Sequence, residues 1–332
     1  MIQQVQQAVF DPKRFLVDIQ ETCRAIGAPY SQETTLKVLA TFQASFARGA
    51  VLWRTTNLPG DALNFRFYER VSIDAISCAV NAKLLQPNHP LSQVIVSWSS
   101  LYSGAPQQSC DFDTKRGLTK VWVYLGAMRP LGDILSAPHV PLSIRNHAKS
   151  FYILGLKHVR HVAADFTSNT VNIYFRAHGP LTLERASSLV RLADPSYLLT
   201  SEEVEEMRRF LNPLGFTFAV TMDYTTGEIQ RVGIYALKLA PGTYPPMDES
   251  VKATPQHPAY DHPSSPLTQL LEYVANPASQ DTWCDPDICA RLLVNNMVGQ
   301  QERRLSVCLL MGAETIILRC GDIKWTLKEM DD

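Results

Sequence analysis

Strand-like runs come in pairs along this chain, and helical stretches separate the pairs. That order constrains the fold strongly, because a tight hairpin is antiparallel and an amphipathic helix must cover a sheet face. Helices are expected over 11–28 and 32–48, with Asp11 and Ser31 as caps. Strands near 50–56 and 62–71 follow, divided by the turn signal NLPGD. Helical stretches near 73–85 and 91–102 lead to strands near 107–113 and 118–126. Helices near 131–136 and 142–155 lead to a hairpin of 157–166 and 170–177. Helices near 181–193 and 201–210 lead to another, 214–224 and 228–239, turning at the TTG of 225–227. Residues 240–266 carry seven prolines in 27 positions and form an irregular excursion. Helices over 266–275 and 286–298 precede a last strand pair near 304–311 and 315–320. The pattern is α-β-β-α, repeated about five times in topology rather than in sequence. Such hairpins can join into one sheet with helices on one side, and closing that sheet into a barrel removes its edges.

The strands alternate in chemistry. Leu63, Phe65 and Phe67 oppose Asn64, Arg66, Tyr68 and Arg70. Val121, Val123 and Leu125 oppose Lys120, Trp122 and Tyr124. Val171, Ile173 and Phe175 oppose Asn172, Tyr174 and Arg176, and Val232, Ile234 and Ala236 oppose Arg231, Gly233 and Tyr235. A half-solvated sheet would explain simple alternation. The polar set here, however, is rich in Arg, Lys, Trp, Tyr and Asn rather than in the Lys, Glu and Thr of a wet surface. In a closed sheet that face lines a cationic and aromatic interior. Guanidinium, ammonium, Tyr and Asn groups suit a diphosphate, and aromatic faces suit an apolar chain or a carbocation. Together they point to an allylic diphosphate whose leaving group is neutralised by side chains.

The rest of the sequence excludes much. It holds 31 Lys and Arg against 32 Asp and Glu, net −1, without the basic excess of a nucleic-acid binder. No apolar run reaches membrane-spanning length, and the start MIQQVQQAVFDPKRF has no signal pattern, so a cytoplasmic protein is expected. No P-loop, dinucleotide fingerprint, HExxH, GxSxG or aspartate-rich diphosphate motif occurs. Seven scattered cysteines, with Cys284 and Cys289 as an isolated C-x4-C, read as buried free thiols. His158 and His161 are expected on opposite faces of their strand.

Four blocks in order resemble the soluble aromatic prenyltransferases of the ABBA, or PT-barrel, family. They are TFQASFARGAVLWRTTNLPGDALNFRFYER, LYSGAPQQSCDFDTKRGLTKVWVYLGAMRPLGDILS, LGLKHVRHVAADFTSNTVNIYFRAHGPL and FAVTMDYTTGEIQRVGIYALK, within roughly 10–240. The likeness is greatest to the aminocoumarin 4-hydroxyphenylpyruvate dimethylallyltransferases and to related fungal dihydroxynaphthalene prenyltransferases. It implies an α+β fold: a single closed ten-stranded antiparallel β-barrel ringed by α-helices, one domain over 1–332. It also implies transfer of a dimethylallyl group from dimethylallyl diphosphate to a carbon of a small electron-rich aromatic.

By position in the family, Arg54, Arg66, Lys120, Asn172, Tyr174 and Arg231 match the diphosphate cage, with Arg66, Lys120 and Tyr174 as the catalytic centre. Arg160 and Thr217 match acceptor-pocket positions, and parity and chemistry add Trp122, Tyr124 and Tyr235 as lining and cation shield. The naphthalene-prenylating branch holds magnesium on an aspartate where this chain has Asn64, so no cofactor and no Mg²⁺ requirement are expected. Asp111 or Asp113 is the alternative source of a metal ligand. Relatives end on a strand with a lysine and a carboxylate. Here residues 300–332 diverge, and Arg319 and Asp322 are the substitutes. The resemblance implies a monomer whose partners are its two substrates, with no nucleic acid and no membrane. The competing reading is a non-catalytic isoprenoid-diphosphate or aromatic-binding barrel with a degraded C-terminus.

Overall fold

A computed structural model gives the structure of the protein and describes residues 10–25, 27–48, 50–56, 62–68, 73–103, 107–208, 214–235, 293–299 and 302–310. For Arg54, Tyr235, 293–299 and 302–310 the description is of the backbone. Helix α1 (Pro12–Ala25) starts as expected, with Asp11 Oδ1 accepting from the Lys13 and Arg14 amides at 2.9 and 3.3 Å. Helix α2 (Gln32–Thr41) is capped by the Ser31 hydroxyl, which accepts from Thr34 N at 3.2 Å. The single helix expected over 32–48 breaks at Phe42, and α3 (Gln43–Arg48) resumes beyond it. The break lets the Phe42 ring pack against Phe67 and Phe112, with centroids 5.6 and 5.2 Å away.

Strands β1 (Ala50–Thr56) and β2 (Asn64–Tyr68) are followed by α4 (Ala75–Asn81) and α5 (Pro90–Ser99). Next come β3 (Gln107–Asp113) and β4 (Gly117–Pro130), then α6 (Leu131–Ser136), α7 (Leu142–Arg145) and α8 (Ala148–Ile153). The helix expected over 142–155 is thus two short ones. Strands β5 (His158–Asp165) and β6 (Thr170–His178), helices α9 (Leu183–Val190) and α10 (Ser201–Arg208), and strands β7 (Gly215–Asp223) and β8 (Ile229–Tyr235) complete the described repeats. Last come β9 (Leu293–Gly299) and β10 (Glu302–Leu310).

The helix expected over 286–298 is corrected by β9. LVNNMVG pairs antiparallel with β10 from Glu302↔Gly299 to Cys308↔Leu293. Backbone pairing on both sides decides such a short run, where helical and strand patterns are hard to separate. The expected partner strand at 315–320, the 266–275 helix, Cys284, Cys289, Arg319 and Asp322 lie outside the described residues.

Strands β2 to β8 form a seven-stranded antiparallel run in which sequence neighbours are spatial neighbours. Beyond it, β1 pairs with both β2 and β10, β10 with β9, and β9 with β8, so the strand order returns to its start. One face meets the helices: Phe65, Phe67, Phe112, Val121, Val123, Ile173, Phe175, Phe218 and Val232 are buried in one continuous core. The other face carries a separate small cluster of Ala163, Tyr174 and Ala219, with Trp122 against it. Lys120, Asn172 and Tyr174 on that face are 5%, 2% and 4% exposed, which overturns the half-solvated reading of the alternation. Of the cysteines, Cys23 and Cys110 are buried as expected, and burial pushes the Cys23 thiol up to about 12. Cys78 is exposed on α4, against the expectation that the thiols are buried.

Candidate active site

Three cross-strand rows organise the inner face. The first runs Arg66, Asp111, Lys120 and Asp165 on β2 to β5. The second runs Ser109, Trp122, Ala163, Asn172, Thr221 and Arg231 on β3 to β8. The third runs Tyr124, His161, Tyr174, Ala219 and Gly233 on β4 to β8. Ala163 and Ala219 put small residues against Tyr174 and Trp122 on the neighbouring strands.

Trp122 is the centre of the described site. The Arg66 guanidinium carbon lies 5.1 Å and Lys120 Nζ 4.8 Å from its ring centroid, and Tyr174 packs on it at 4.6 Å and 35°. Two cations and two aromatic rings therefore meet in one place, as the alternation predicts. Its indole Nε1–H is buried without a hydrogen-bond partner. Arg66 is not free: its Nη2 donates to Asp111 Oδ2 at 2.9 Å. Asp111 is thus a site residue that the sequence reading treated only as a metal alternative. Its other oxygen is buried and unpartnered.

On the second row, Asn172 Nδ2 donates to Thr221 Oγ1 at 2.5 Å, and Arg231 Nε donates to the same oxygen at 3.3 Å. Thr221 is buried and was missed, because a threonine among Ala-Val-Thr-Met carries no distinctive sequence signal.

At the other end of the site, Arg160 sits with its Cζ 5.3 Å from the Tyr124 ring centroid and Nη2 3.4 Å from the hydroxyl. Tyr124 donates onward to Gly126 O at 3.0 Å. His161 packs on Tyr124 at 5.2 Å. The pairing of β5 with β6 shifts register between Val159 and His161. Such a bulge breaks strict alternation, so Arg160 and the next residue both reach Tyr124. Sequence periodicity could not show that. The His161 imidazole is pulled down to about 3, first by desolvation and then by the Arg160 charge, so it is neutral near pH 7. Thr217 is half-buried on β7, opposite Arg176 and Tyr235. Arg54 stands on β1 opposite Asn64 and Cys308, and the side chains of Arg54 and Tyr235 are outside the description.

Neither metal alternative is well disposed. Asp113 Oδ1 accepts from the Lys115 and Arg116 amides at 2.6 and 3.0 Å, closing the β3–β4 turn, and Asp111 is bound to Arg66. Asn64 Nδ2 donates to Ala62 O at 3.0 Å. Among the described residues no group of three or more His, Cys, Asp or Glu side chains converges.

An antiparallel sheet built from α-β-β-α repeats, with one face under helices and the other cationic and aromatic, defines the fold class and its candidate site. The comparisons specify it further. The family model of the aromatic prenyltransferase Orf2 matches residues 10–259, and the chain belongs to that family. It is 81% identical over 254 residues to an aromatic prenyltransferase of Aspergillus terreus, covering 76% of each chain. It is 43% identical over 230 residues to the 4-hydroxyphenylpyruvate 3-dimethylallyltransferase of Streptomyces niveus, covering 69% of this chain and 71% of that one. The fold is similar to the 5-dimethylallyl tryptophan synthase of Streptomyces coelicolor, crystallised with DMASPP and Trp. That likeness has a TM-score of 0.60 at 13% identity and covers 90% of this chain and 94% of that one. The protein is an aromatic prenyltransferase.

Proposed function

We propose that this enzyme joins the dimethylallyl group of dimethylallyl diphosphate to a ring carbon of an electron-rich hydroxylated aromatic, without a metal ion. The observation that carries the reading is the placement of Arg66 and Lys120 against Trp122 and Tyr174. An anion drawn to those cations puts its allyl group beside two ring faces. The allylic C–O bond breaks, and the electron pair leaves with the diphosphate, whose charge Lys120, Arg66, Arg231 and Asn172 stabilise. The faces of Trp122 and Tyr174 shield the allyl cation. The acceptor ring attacks it, forming the C–C bond, and the arenium proton passes to a general base as the ring regains aromaticity.

Arg160, with Tyr124, Thr217 and Tyr235, forms the acceptor end. A guanidinium there suits a phenol that also bears a carboxylate, as in the named substrate of the Streptomyces niveus relative. Dihydroxynaphthalene is the alternative acceptor. The metal-independent reading rests on donor chemistry: an amide at Asn64, a turn-capping Asp113 and an ion-paired Asp111. The reading takes the returning strand order as a closed ten-stranded barrel within one domain over 1–332, working as a monomer in the cytoplasm. Among the described residues no helix is long and apolar enough to cross a membrane.

A second reading has one observation in its favour. The family match ends at residue 259, ahead of β9, β10 and Arg319. A chain that binds the donor but cannot turn it over would fit that divergence. Calorimetric titration with inorganic diphosphate tests the anion site shared by both. Binding by the wild type, weakened at least about tenfold in Lys120→Ala, is expected. Equal binding by both proteins would refute the assignment of the cage. Turnover separates the enzyme from the binder.

A further inference from the structure

The Asn172 amide presents a problem of balance. Its Nδ2 is spent on Thr221, while its Oδ1 is buried and accepts nothing. Thr221 Oγ1 accepts from Asn172 on one side and from Arg231 Nε on the other, so its own hydrogen has neither of these partners. All three residues sit at one register position on β6, β7 and β8, and Asn172 and Thr221 are 2% and 4% exposed. In this arrangement a buried carbonyl oxygen goes unpaired beside a hydroxyl that could donate to it.

Rotating the amide by half a turn resolves both faults. Thr221 then donates its hydrogen to Asn172 Oδ1 while still accepting from Arg231 Nε. The amide NH₂ then takes the place of the unpartnered oxygen and is left as a donor. The two amide ends are close to isosteric, so the rotation needs no repacking.

We propose that Thr221 is the positioning residue of the diphosphate cage: its hydroxyl anchors Arg231 and, by donating to Asn172, turns the Asn172 amide so that its NH₂ faces the anion. The inference rests on the reading of this face as a diphosphate site. It requires that residue 221 can both donate and accept, which serine preserves and valine abolishes at nearly constant shape.

The test compares wild type, Thr221→Val and Thr221→Ser by steady-state kinetics and by inhibition with inorganic diphosphate, with thermal melting to establish folding. For Thr221→Val we expect about a tenfold rise in both the donor KM and the diphosphate inhibition constant, as for loss of a hydrogen bond to a charged group. The acceptor KM should not change, and Thr221→Ser should restore both donor constants. Donor constants in folded Thr221→Val within about twofold of wild type would overturn the proposal. So would a Thr221→Ser variant as impaired as Thr221→Val. If Thr221→Val does not fold, Thr221→Ser against Thr221→Ala replaces the comparison, with the same contrast expected. Failure of wild type to bind diphosphate would instead refute the site reading beneath it.

Discussion

At the residue scale, the described site is a set of cations held against rings. Lys120→Ala removes a buried charge 4.8 Å from the Trp122 centroid without touching the helix-facing core. We expect kcat to fall by about 10²–10³ with an unchanged melting curve, as measured by product formation and circular dichroism. His161 gives a stability prediction. Its folded value of about 3 lies below the ~6.5 of a free imidazole, so acid protonates the unfolded chain first. Its contribution is complete above pH ~6.5 and is lost as pH falls towards 3, by up to about 1.4 kcal/mol per pH unit. His89, lowered by burial, acts in the same direction. Denaturant titrations between pH 7 and 5 should therefore show a shallower acid loss in His161→Gln, and parallel curves would contradict the assignment. The shared face of Arg66, Lys120, Trp122, Asn172, Tyr174 and Arg231 is legible in the sequence because their strands alternate. Asp111, Thr221 and His161 were not, because their roles arise from partners on other strands and from a bulge.

At the element scale, hairpins and caps were readable and helix continuity was not. Phe42 breaks a helix because its ring is claimed by the sheet, and β9 is a strand because β8 and β10 flank it. The β7–β8 turn shows how closely these elements dock. Gly227 has φ +77°, and a Cβ there would lie 2.7 Å from the Ser143 carbonyl carbon on α7. His147 Nε2 meets Gly227 O at 2.7 Å in the same contact. Gly227→Ala combines left-handed strain with a backbone clash and should cost about 2 kcal/mol or more. Chemical denaturation measures it, and a loss below about 0.5 kcal/mol would mean that the turn does not pack on α7.

At the scale of the whole molecule, the repeat made an antiparallel sheet under helices readable, while the return of the strand order depends on β1, β9 and β10. Truncation before Leu293 removes β9 and β10, so β1 keeps only β2, β8 keeps only β7, and each gains a bare edge. Two bare edges should make the shortened chain aggregation-prone and inactive. A soluble truncation with full activity, judged by size-exclusion chromatography and turnover, would show that β9 and β10 are not needed.

The central claim is that this inner face joins an allyl cation to an aromatic ring without a metal. It is tested most directly by mass spectrometry of reactions with dimethylallyl diphosphate and either a dihydroxynaphthalene or 4-hydroxyphenylpyruvate, with and without EDTA. The account predicts a C-linked five-carbon adduct at equal rates in both conditions. An adduct that vanishes in EDTA would contradict the metal-free mechanism, and bound donor with no adduct to either acceptor would favour the binding protein over the enzyme.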